Sequence, residues 1–421
     1  MSDKTTPVLK PKAHGPIPPY FAADADGMML IGGERLDALA ARAGETPLFI
    51  YDMGIVRQRL MALRTAMPGE LSIHYAIKAN PMPALMAAMA PLVDGFDVAS
   101  GGEMAKALAA GMSADHISFA GPGKRDRELE AAIRAGVTLN LESAGECARA
   151  LAIAADIGVR ARLAVRVNPD FDLKGSGMRM GGGAKAFGVD VDQVPALVRQ
   201  IVDAGADWRG FHIFAGSQAL DAASIAETQA ATVALAARLA SEIGISPPIV
   251  NIGGGLGVTY FPNDMPVDIA HVGAALADTL AQRPAILATT HFAMELGRYL
   301  TADCGIYVST IVDRKQSAGE TFLVLDGGMH HQLAASGNFG TVIKRNYPIA
   351  IANHFGAEPV EIVHVVGCLC TPLDRLGDQV MLPVAQVGDL AVLFMAGAYG
   401  ASASPAAFLG HAPAGELLID M

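Results

Sequence analysis

Short apolar runs alternate with alanine-rich segments from about residue 46 to residue 305. The runs are four to seven residues long, as expected for strands buried on both faces, and the segments between them have helical length and spacing. The eight predicted strands are Ser72–Ile77, Gly95–Val98, Ile117–Ala120, Thr138–Leu141, Ala161–Val167, Gly210–Phe214, Ile249–Ile252 and His291–Leu296. Eight such units predict a closed (β/α)8 barrel, although the alternation alone is also compatible with an open, doubly wound sheet.

The pattern changes after about residue 305, and residues 306–421 are predicted to form a separate β domain. Strand-like runs follow one another there, joined by turns and few helices. These runs are Ile306–Val312, Thr321–Leu325, Val360–Val366, Gln379–Leu382 and Asp389–Phe394. At the other end of the chain, the first 27 or so residues are rich in Pro, Lys and polar residues, which predicts a loosely held arm.

The composition argues against several classes of protein. Apolar residues make up 52% of the 421 residues and charged residues 17%, which is too apolar for a disordered chain. The net charge of −11 argues against a nucleic-acid-binding protein, which needs a basic surface. The most apolar stretch, residues 390–409, is interrupted by Gly397, Gly400 and Pro405, and the first residues lack a secretory signal pattern. We therefore expect a cytoplasmic protein with neither a membrane span nor a nucleic-acid partner.

The cysteine spacing predicts neither a structural metal site nor a disulfide framework. None of Cys147, Cys304, Cys368 and Cys370 belongs to a C-x-x-C pair. The C-x-C pair formed by the last two has no matching second cluster elsewhere in the sequence.

A lysine stands where the first predicted barrel strand ends. Lys78 follows an apolar run that begins after a Pro-Gly turn. Burial would remove water from its ammonium group, lower its pKa and make the neutral amine available as a nucleophile toward a carbonyl. The alternative is a lysine whose stem packs on the strand while its charge reaches solvent.

The segment Tyr75-Ala76-Ile77-Lys78-Ala79-Asn80 resembles the lysine motif of the pyridoxal-phosphate-dependent decarboxylases of fold type III, which include diaminopimelate, ornithine and arginine decarboxylases. The resemblance covers the chain from about residue 48 to its end. It implies an alanine-racemase-like barrel over residues 46–305, in which Lys78 binds pyridoxal 5'-phosphate covalently. It also implies that residues 1–45 add strands to the β domain, and that the enzyme is a homodimer with shared active sites.

Two further motifs resemble cofactor-binding segments of this family. The Gly-Gly-Gly-Leu-Gly run after the seventh strand resembles its phosphate loop, which assigns Gly254 and Gly255 to the phosphate; a tight β-α turn is the alternative. The Glu-Leu-Gly-Arg segment resembles the family's Glu-Pro-Gly-Arg. That resemblance assigns Glu295 to the pyridine nitrogen and Gly297 and Arg298 to the phosphate. An ordinary ion pair between the glutamate and the arginine is the alternative here.

Other barrel segments resemble the family with one departure. Ser217 matches a phosphate-contacting serine, but Phe214 stands where relatives have a histidine that stacks on the pyridine ring. A phenyl ring can stack, but it cannot donate a hydrogen bond. His212 lies two residues earlier and can face the same side of the strand, although a satisfied core histidine is at least as good an interpretation. Asp97 and Arg166 match charges that lie near the cofactor.

In the β domain, the Cys-Thr-Pro-Leu-Asp segment resembles the family's Cys-Glu-Ser-x-Asp. The resemblance implies that Cys370 returns a proton to the substrate across the dimer interface, and that Thr371, Asp374 and Asp326 lie near the substrate. It also implies that Tyr399 approaches the phosphate from the other subunit. Relatives that act on diamino acids carry an acid at the position of Thr371. A neutral hydroxyl would leave a distal ammonium poorly paired. We therefore expect a substrate without a free distal ammonium, whose distal end is joined by an amide or thioester linkage, as on a carrier protein.

These features favour an α-decarboxylase of an amino acid or amino-acid derivative, most similar to the exosortase-associated subgroup. Three alternatives stay open at this point. The first is diaminopimelate decarboxylase of lysine biosynthesis. The second is an amino-acid racemase, against which Glu295 argues because such racemases place arginine at the ring nitrogen. The third is a non-catalytic regulatory protein that binds the same cofactor.

Overall fold

The computed structural model describes residues 10–337 and 345–420, without the side chains of residues 178 and 179. Contacts divide the chain into two compact units. One unit comprises Arg59–Val258 and Pro266–Tyr299, and we call it the barrel unit. The other comprises the described residues of Met1–Gln58, Thr259–Met265 and Leu300–Met421, and we call it the β unit.

The barrel unit contains a closed parallel barrel. Its strands are β1 (Ser72–Ala76), β2 (Gly95–Val98), β3 (Ile117–Phe119), β4 (Thr138–Leu141), β5 (Arg162–Asn168), β6 (Asp207–Ile213), β7 (Ile249–Asn251) and β8 (His291–Leu296). Each strand pairs in parallel with the next, and β8 pairs with β1, which closes the ring. The short strand Val189–Asp190 lies beside β5. The predicted barrel is confirmed, and the open sheet is excluded.

Helices precede and connect the barrel strands. They are Met53–Ala66, Pro83–Met89, Gly101–Ala109, Asp126–Ala135, Ala144–Ile157, Val194–Asp203, Ala222–Ile243 and Ile269–Ala281. Local sequence explains where two of them begin, because Ser100 and Ser143 each accept a hydrogen bond at 3.1 Å from the backbone N–H three residues later. The turn of Ile77–Ala79, a single turn of 3₁₀ helix, follows β1 directly.

The β unit is built on a mixed sheet around one long strand, Gly305–Ser317. The other described strands of this sheet are Leu48–Asp52, Glu320–Leu325, Ile349–Ile351, Glu361–Val366, Arg375–Leu382, Leu390–Leu393 and Gly415–Ile419. The first half of the long strand pairs with Leu48–Asp52 and Leu390–Leu393, and its second half pairs with Glu320–Leu325. Short helices in this unit span Leu36–Ala43 and Arg298–Thr301, the latter crossing the boundary between the units.

The sheet pairing corrects the domain boundaries expected from the sequence. The strand Leu48–Asp52 was assigned to the barrel, but it pairs with Gly305–Ser317 and is fully buried in the β unit. Within residues 1–45, the strands Ala22–Ala23, Met29–Ile31 and Glu34–Arg35 form a small sheet of their own. The apolar pattern of a strand predicts that it is buried but not which sheet it joins, because pairing depends on distant partners.

Across the described part of the chain, no helix is both long enough and apolar enough to cross a membrane.

Candidate functional site

A cavity of about 220 Å³ opens at the carboxyl ends of the barrel strands. This is the end at which barrel enzymes place their active sites, because loops from several strands converge there. The cavity is lined by Lys78, Asp97, Val98, Ala99, Ala120, Gly121, Pro122, Arg166, Met180, Phe187, His212, Phe214 and Glu295. Six of the residues considered from the sequence are therefore brought together: Lys78, Asp97, Arg166, His212, Phe214 and Glu295.

Lys78 enters this cavity from the turn after β1. Its neighbours Ile77 and Ala79 are buried, whereas Lys78 itself is exposed, and its Nζ lies 5.7 Å from the centroid of the Phe214 ring. The expectation of a buried lysine was wrong, because the tight turn directs this side chain into the open cavity. Gly297 packs against the same turn, where an added Cβ would lie 2.8 Å from the Ala79 Cβ. This close approach explains why the residue before Arg298 is glycine. Arg298 itself is half-buried.

Glu295 and His212 form a buried pair on the cavity wall. The His212 Nε2 lies 2.8 Å from a carboxylate oxygen of Glu295, and both side chains are almost fully buried. Asn251 on β7 donates to the same carboxylate oxygen at 3.4 Å. Burial alone would raise the pKa of Glu295, but the charge and hydrogen bond of His212, together with Lys78 and Arg166, lower it. The carboxylate is therefore ionised at neutral pH.

A second histidine–carboxylate pair joins β1 and β2. The Nδ1 of His74 lies 3.4 Å from a carboxylate oxygen of Asp97. Burial opposes protonation of His74, but the Asp97 carboxylate outweighs it and raises the pKa of the imidazole. Neither oxygen of Asp97 has a hydrogen-bond donor in good geometry within the described chain.

Arg166 belongs to a network of buried charges behind the cavity. Its Nη1 donates to Glu142 at 2.9 Å, and Glu142 also accepts from the backbone of Gly121 and of Gly188. Next to it, Lys124 donates to Glu146 at 2.5 Å, with 1% and 2% of the two side chains exposed. These contacts fix the Gly121 loop and orient Arg166, because each buried charge has an opposite partner.

The glycine run after β7 forms a backbone cradle. Gly253 and Gly255 adopt φ angles of +72° and +107°, which side chains disfavour. A Cβ on Gly254 would lie 2.1 Å from the backbone oxygen of Glu295. Ser217 is half-buried on the short strand Gly216–Ser217. The run therefore requires glycine for steric reasons, as an anion-binding loop does.

The residues singled out in the β unit lie on loops around its sheet. Asp326 accepts hydrogen bonds from Ser309 at 2.6 Å, from the Thr310 backbone and from Thr46. Asp374 is buried, burial raises its pKa, and its carboxylate accepts from the backbone N–H groups of Met329 and Leu369. Both carboxylates therefore already accept hydrogen bonds from residues of the β unit.

The loop that precedes Asp374 carries the two other predicted residues. Thr371 is half-buried, and its hydroxyl accepts from the Leu373 backbone at 3.3 Å. Cys370 is exposed, so its thiol is not buried as a packing side chain. Tyr399 is half-buried and adopts a positive φ of 57°, which is uncommon for a residue with a side chain.

The structure decides one interpretation that the sequence leaves open and adds two residues that the sequence does not indicate. His212 lines the cavity together with Phe214, and its Nδ1 has no hydrogen-bond partner within the described chain. Its period-2 relation to Phe214 was the available signal. His74 and Glu142 had no signal, because only the closed barrel brings them to Asp97 and Arg166.

These residues fit pyridoxal phosphate. The cavity offers an amine, an ionised carboxylate and an apolar ring at Lys78, Glu295 and Phe214. Gly253, Gly254 and Gly255 add a run of backbone without side chains, which suits an anion such as a phosphate. Asp97 and His212 supply buried polar atoms that lack hydrogen-bond partners within the described chain, as expected where a polar group binds.

Comparison with known proteins agrees with this geometry. Residues 53–302 match the family model described as "Pyridoxal-dependent decarboxylase, pyridoxal binding domain". The L-glutamyl-[BtrI acyl-carrier protein] decarboxylase of Niallia circulans is 36% identical, over 89% of this chain and 89% of that protein. The 2-[(L-alanin-3-ylcarbamoyl)methyl]-2-hydroxybutanedioate decarboxylase of Staphylococcus aureus is 29% identical, over 89% of this chain and 94% of that protein.

Among solved structures, a diaminopimelate decarboxylase from M. jannaschii in complex with L-lysine superposes with a TM-score of 0.85. It is 25% identical, and the match covers 96% of this chain and 93% of that one. The family model matches residues 53–302, which is more than half of the chain. The cavity in these residues contains the lysine and the glutamate that the chemistry requires. The chain therefore belongs to the pyridoxal-dependent decarboxylase family and is a pyridoxal-phosphate-dependent decarboxylase.

Proposed function

We propose that the substrate is an amino acid whose distal end is neutral because it is joined by an amide or thioester linkage, as in an aminoacyl group on a carrier protein. The observation that carries this proposal is Thr371, a neutral residue where relatives that act on diamino acids have an acid. The Niallia relative is named for a glutamyl group on a carrier protein, and the Staphylococcus relative for an alanine-derived amide.

The surroundings of Thr371 support the same conclusion. Asp374 and Asp326 are the two acids singled out near the substrate position. Both already accept hydrogen bonds from within the β unit. Redirecting either carboxylate to a ligand would leave buried backbone or hydroxyl donors unpaired, at a cost of about 1–3 kcal/mol for each donor. A distal ammonium would therefore be poorly compensated at this loop.

In this proposal each barrel residue has a distinct task. The Lys78 amine would hold the cofactor until substrate arrives, and Glu295 would hold the pyridine nitrogen. The backbone N–H groups near Gly254 and Gly255, with Ser217 and Arg298, would hold the phosphate.

The pairs behind these residues set the charge of the site. When bound, pyridoxal phosphate would supply the acceptor for the electron pair that departing carbon dioxide leaves on the α-carbon. The buried His212 keeps the Glu295 carboxylate ionised for its partner on the ring. The phenyl ring of Phe214 lines the cavity with its centroid 5.7 Å from the Lys78 Nζ, and it would give the leaving carboxylate an apolar neighbour.

We further propose that the active enzyme is a homodimer in which Cys370 supplies the proton that replaces the carboxylate. The exposure of this thiol suits a group that acts on the active site of the other subunit. Mixing Lys78→Ala with Cys370→Ala protein tests the shared site, because a mixed dimer regains one intact site. About a quarter of wild-type activity should return after mixing, whereas sites contained within one subunit would leave the mixture inactive.

A substrate panel tests the proposed specificity. Carbon dioxide release by the holoenzyme would be measured with γ-glutamyl pantetheine thioester, γ-glutamyl amides, free glutamate, diaminopimelate, ornithine and lysine, with Lys78→Ala as the inactive control. We expect the thioester or amide to be preferred over every diamino acid by at least about 100-fold in kcat/KM. Preference for diaminopimelate would overturn the proposal and establish diaminopimelate decarboxylase activity instead.

A single substitution tests the role of Thr371. Thr371→Glu should lower activity on the neutral-ended substrate and create measurable activity on ornithine or lysine, because it supplies the missing counter-charge. Thr371→Gln has nearly the same size without the charge and serves as the matched control. Equal behaviour of the two variants on diamino acids would contradict this role.

A further inference from the structure

Three side chains with metal-ligating atoms converge in the β unit, outside the residues used above. They are His330, Cys368 and His411, and one donor atom from each lies within 4.8 Å of the others. The Cys368 sulfur lies 3.9 Å from both ring nitrogens of His411. The His330 and His411 ring centroids are 4.9 Å apart. We propose that these residues form a binding site for a divalent transition-metal ion, zinc by its ligand chemistry.

The separations suit a site that contracts slightly around an ion. With Zn–S bonds of about 2.3 Å and Zn–N bonds of about 2.0 Å, tetrahedral ligand atoms lie roughly 3.3–3.6 Å apart. The observed separations exceed this range by little more than about 1 Å, which side-chain rotation can provide without moving the backbone.

The hydrogen bonding of His330 supports a ligand. The residue is fully buried, yet neither of its ring nitrogens has a hydrogen-bond partner within residues 10–337 and 345–420. Leaving such a buried polar group unsatisfied is unfavourable, and coordination to an ion would relieve that cost. Its neighbour His331 differs, because His331 contacts the Ala412 carbonyl at 2.9 Å and the Tyr307 hydroxyl at 3.1 Å. His331 thereby anchors the segment that carries His411.

The donor set selects the class of metal. One thiolate and two imidazoles suit zinc and other borderline transition metals, whereas calcium and magnesium require oxygen ligands. The nearby carboxylate of Asp374 already accepts two backbone hydrogen bonds, so it is not available to complete the set. Three protein ligands leave the fourth position for water or for a small ligand.

The proposed ion would join three separate segments of the β unit. Cys368 lies two residues before Cys370 in the same loop, so an ion at this site would hold the loop that carries the proposed proton donor. The site also revises the interpretation of the cysteines. Their spacing predicted no metal site because the three ligands lie far apart in the sequence and only the fold brings them together.

Metal binding to the full-length holoenzyme tests the proposal. Protein purified under reducing conditions would be analysed for metal content and then titrated with Co²⁺, whose thiolate and tetrahedral absorption bands report on the ligands. We expect about one equivalent per chain, and at least about 100-fold weaker binding in Cys368→Ser and in His411→Ala. Cys370→Ser, in the same loop, should bind the metal as the wild type does.

Two results would overturn the site. One is wild-type protein that binds Co²⁺ without a thiolate band or with less than about a tenth of an equivalent. The other is a set of variants whose metal affinity matches that of the wild type. Circular dichroism and gel filtration of the variants separate loss of the site from loss of the fold. Because the readout is metal binding, failure here leaves the proposed substrate untouched.

Discussion

Replacing His212 with leucine tests how the site keeps Glu295 charged. The two side chains are 3% and 5% exposed, and the His212 Nε2 lies 2.8 Å from the carboxylate. Removing one member of a buried ion pair costs about 3–5 kcal/mol, because the other charge stays buried without its partner. Lys78 and Arg166 also act on Glu295, so we expect the lower end, a loss of about 3 kcal/mol in the free energy of unfolding.

The substitution should also change the acid sensitivity of the protein. The pKa of Glu295 is lowered from 4.5 to about 2 in the folded protein. A depressed pKa gives stability that is present above pH 4.5 and disappears as the pH falls toward about 2. In His212→Leu, burial is opposed less and the pKa of Glu295 rises, so less stability should be lost on acidification and the loss should be complete at a higher pH than in the wild type. Cofactor affinity should weaken in parallel, because Glu295 is then more often neutral.

Trp208 provides the assay. It is the single tryptophan of the chain, it is buried, and it lies on β6 in the barrel, so its fluorescence follows unfolding of the barrel unit. Urea titrations between about pH 2 and pH 8, a range that spans the 4.5 to about 2 window of Glu295, would compare wild type, His212→Leu and His291→Leu. His291 is exposed at the start of β8, and its replacement should cost no more than about 0.5 kcal/mol. Equal midpoints and equal acid transitions for wild type and His212→Leu would refute the reasoning.

The remaining predictions concern packing around the cavity. Gly297→Ala places a Cβ 2.8 Å from Ala79 beside the cofactor lysine, so kcat should fall at least about 10-fold while urea stability falls by only about 1–3 kcal/mol; unchanged kcat would contradict this. Gly254→Ala brings a Cβ to 2.1 Å from a backbone carbonyl, and equilibrium dialysis should show weaker cofactor binding; wild-type affinity would be evidence against the cradle. Glu146→Leu leaves Lys124 buried without its carboxylate and should cost about 3–5 kcal/mol, whereas adding Lys124→Met should restore most of it; two additive losses would rule out a coupled pair.

Local sequence determined the elements of the barrel and the position of Lys78, the proposed cofactor lysine. Each predicted barrel strand has a counterpart within about three residues, because an apolar run between turn residues is decided by its own composition. Lys78 was identified from its neighbours and its place at a strand end. Glu295 and the glycine run were identified in the same way, each at the end of a strand and each recognised from a few adjacent residues.

Tertiary structure alone decided which side chains meet. His212 lies beside Asn251 in the register of β6 and β7, and Glu295 lies beside His74 in the register of β8 and β1. Strand register depends on how separate strands close into a ring, which no local pattern encodes. The same holds for Leu48–Asp52, because its apolar residues indicate that the strand is buried but not which sheet it joins.

The cluster of His330, Cys368 and His411 shows this division most clearly. The residue types are visible in the sequence, but they stand on three loops of the β unit with no motif between them. Burial, pairing and charge compensation are properties of residues in contact. The sequence alone therefore indicates the chemistry that is available, whereas the packed chain determines which groups can act together.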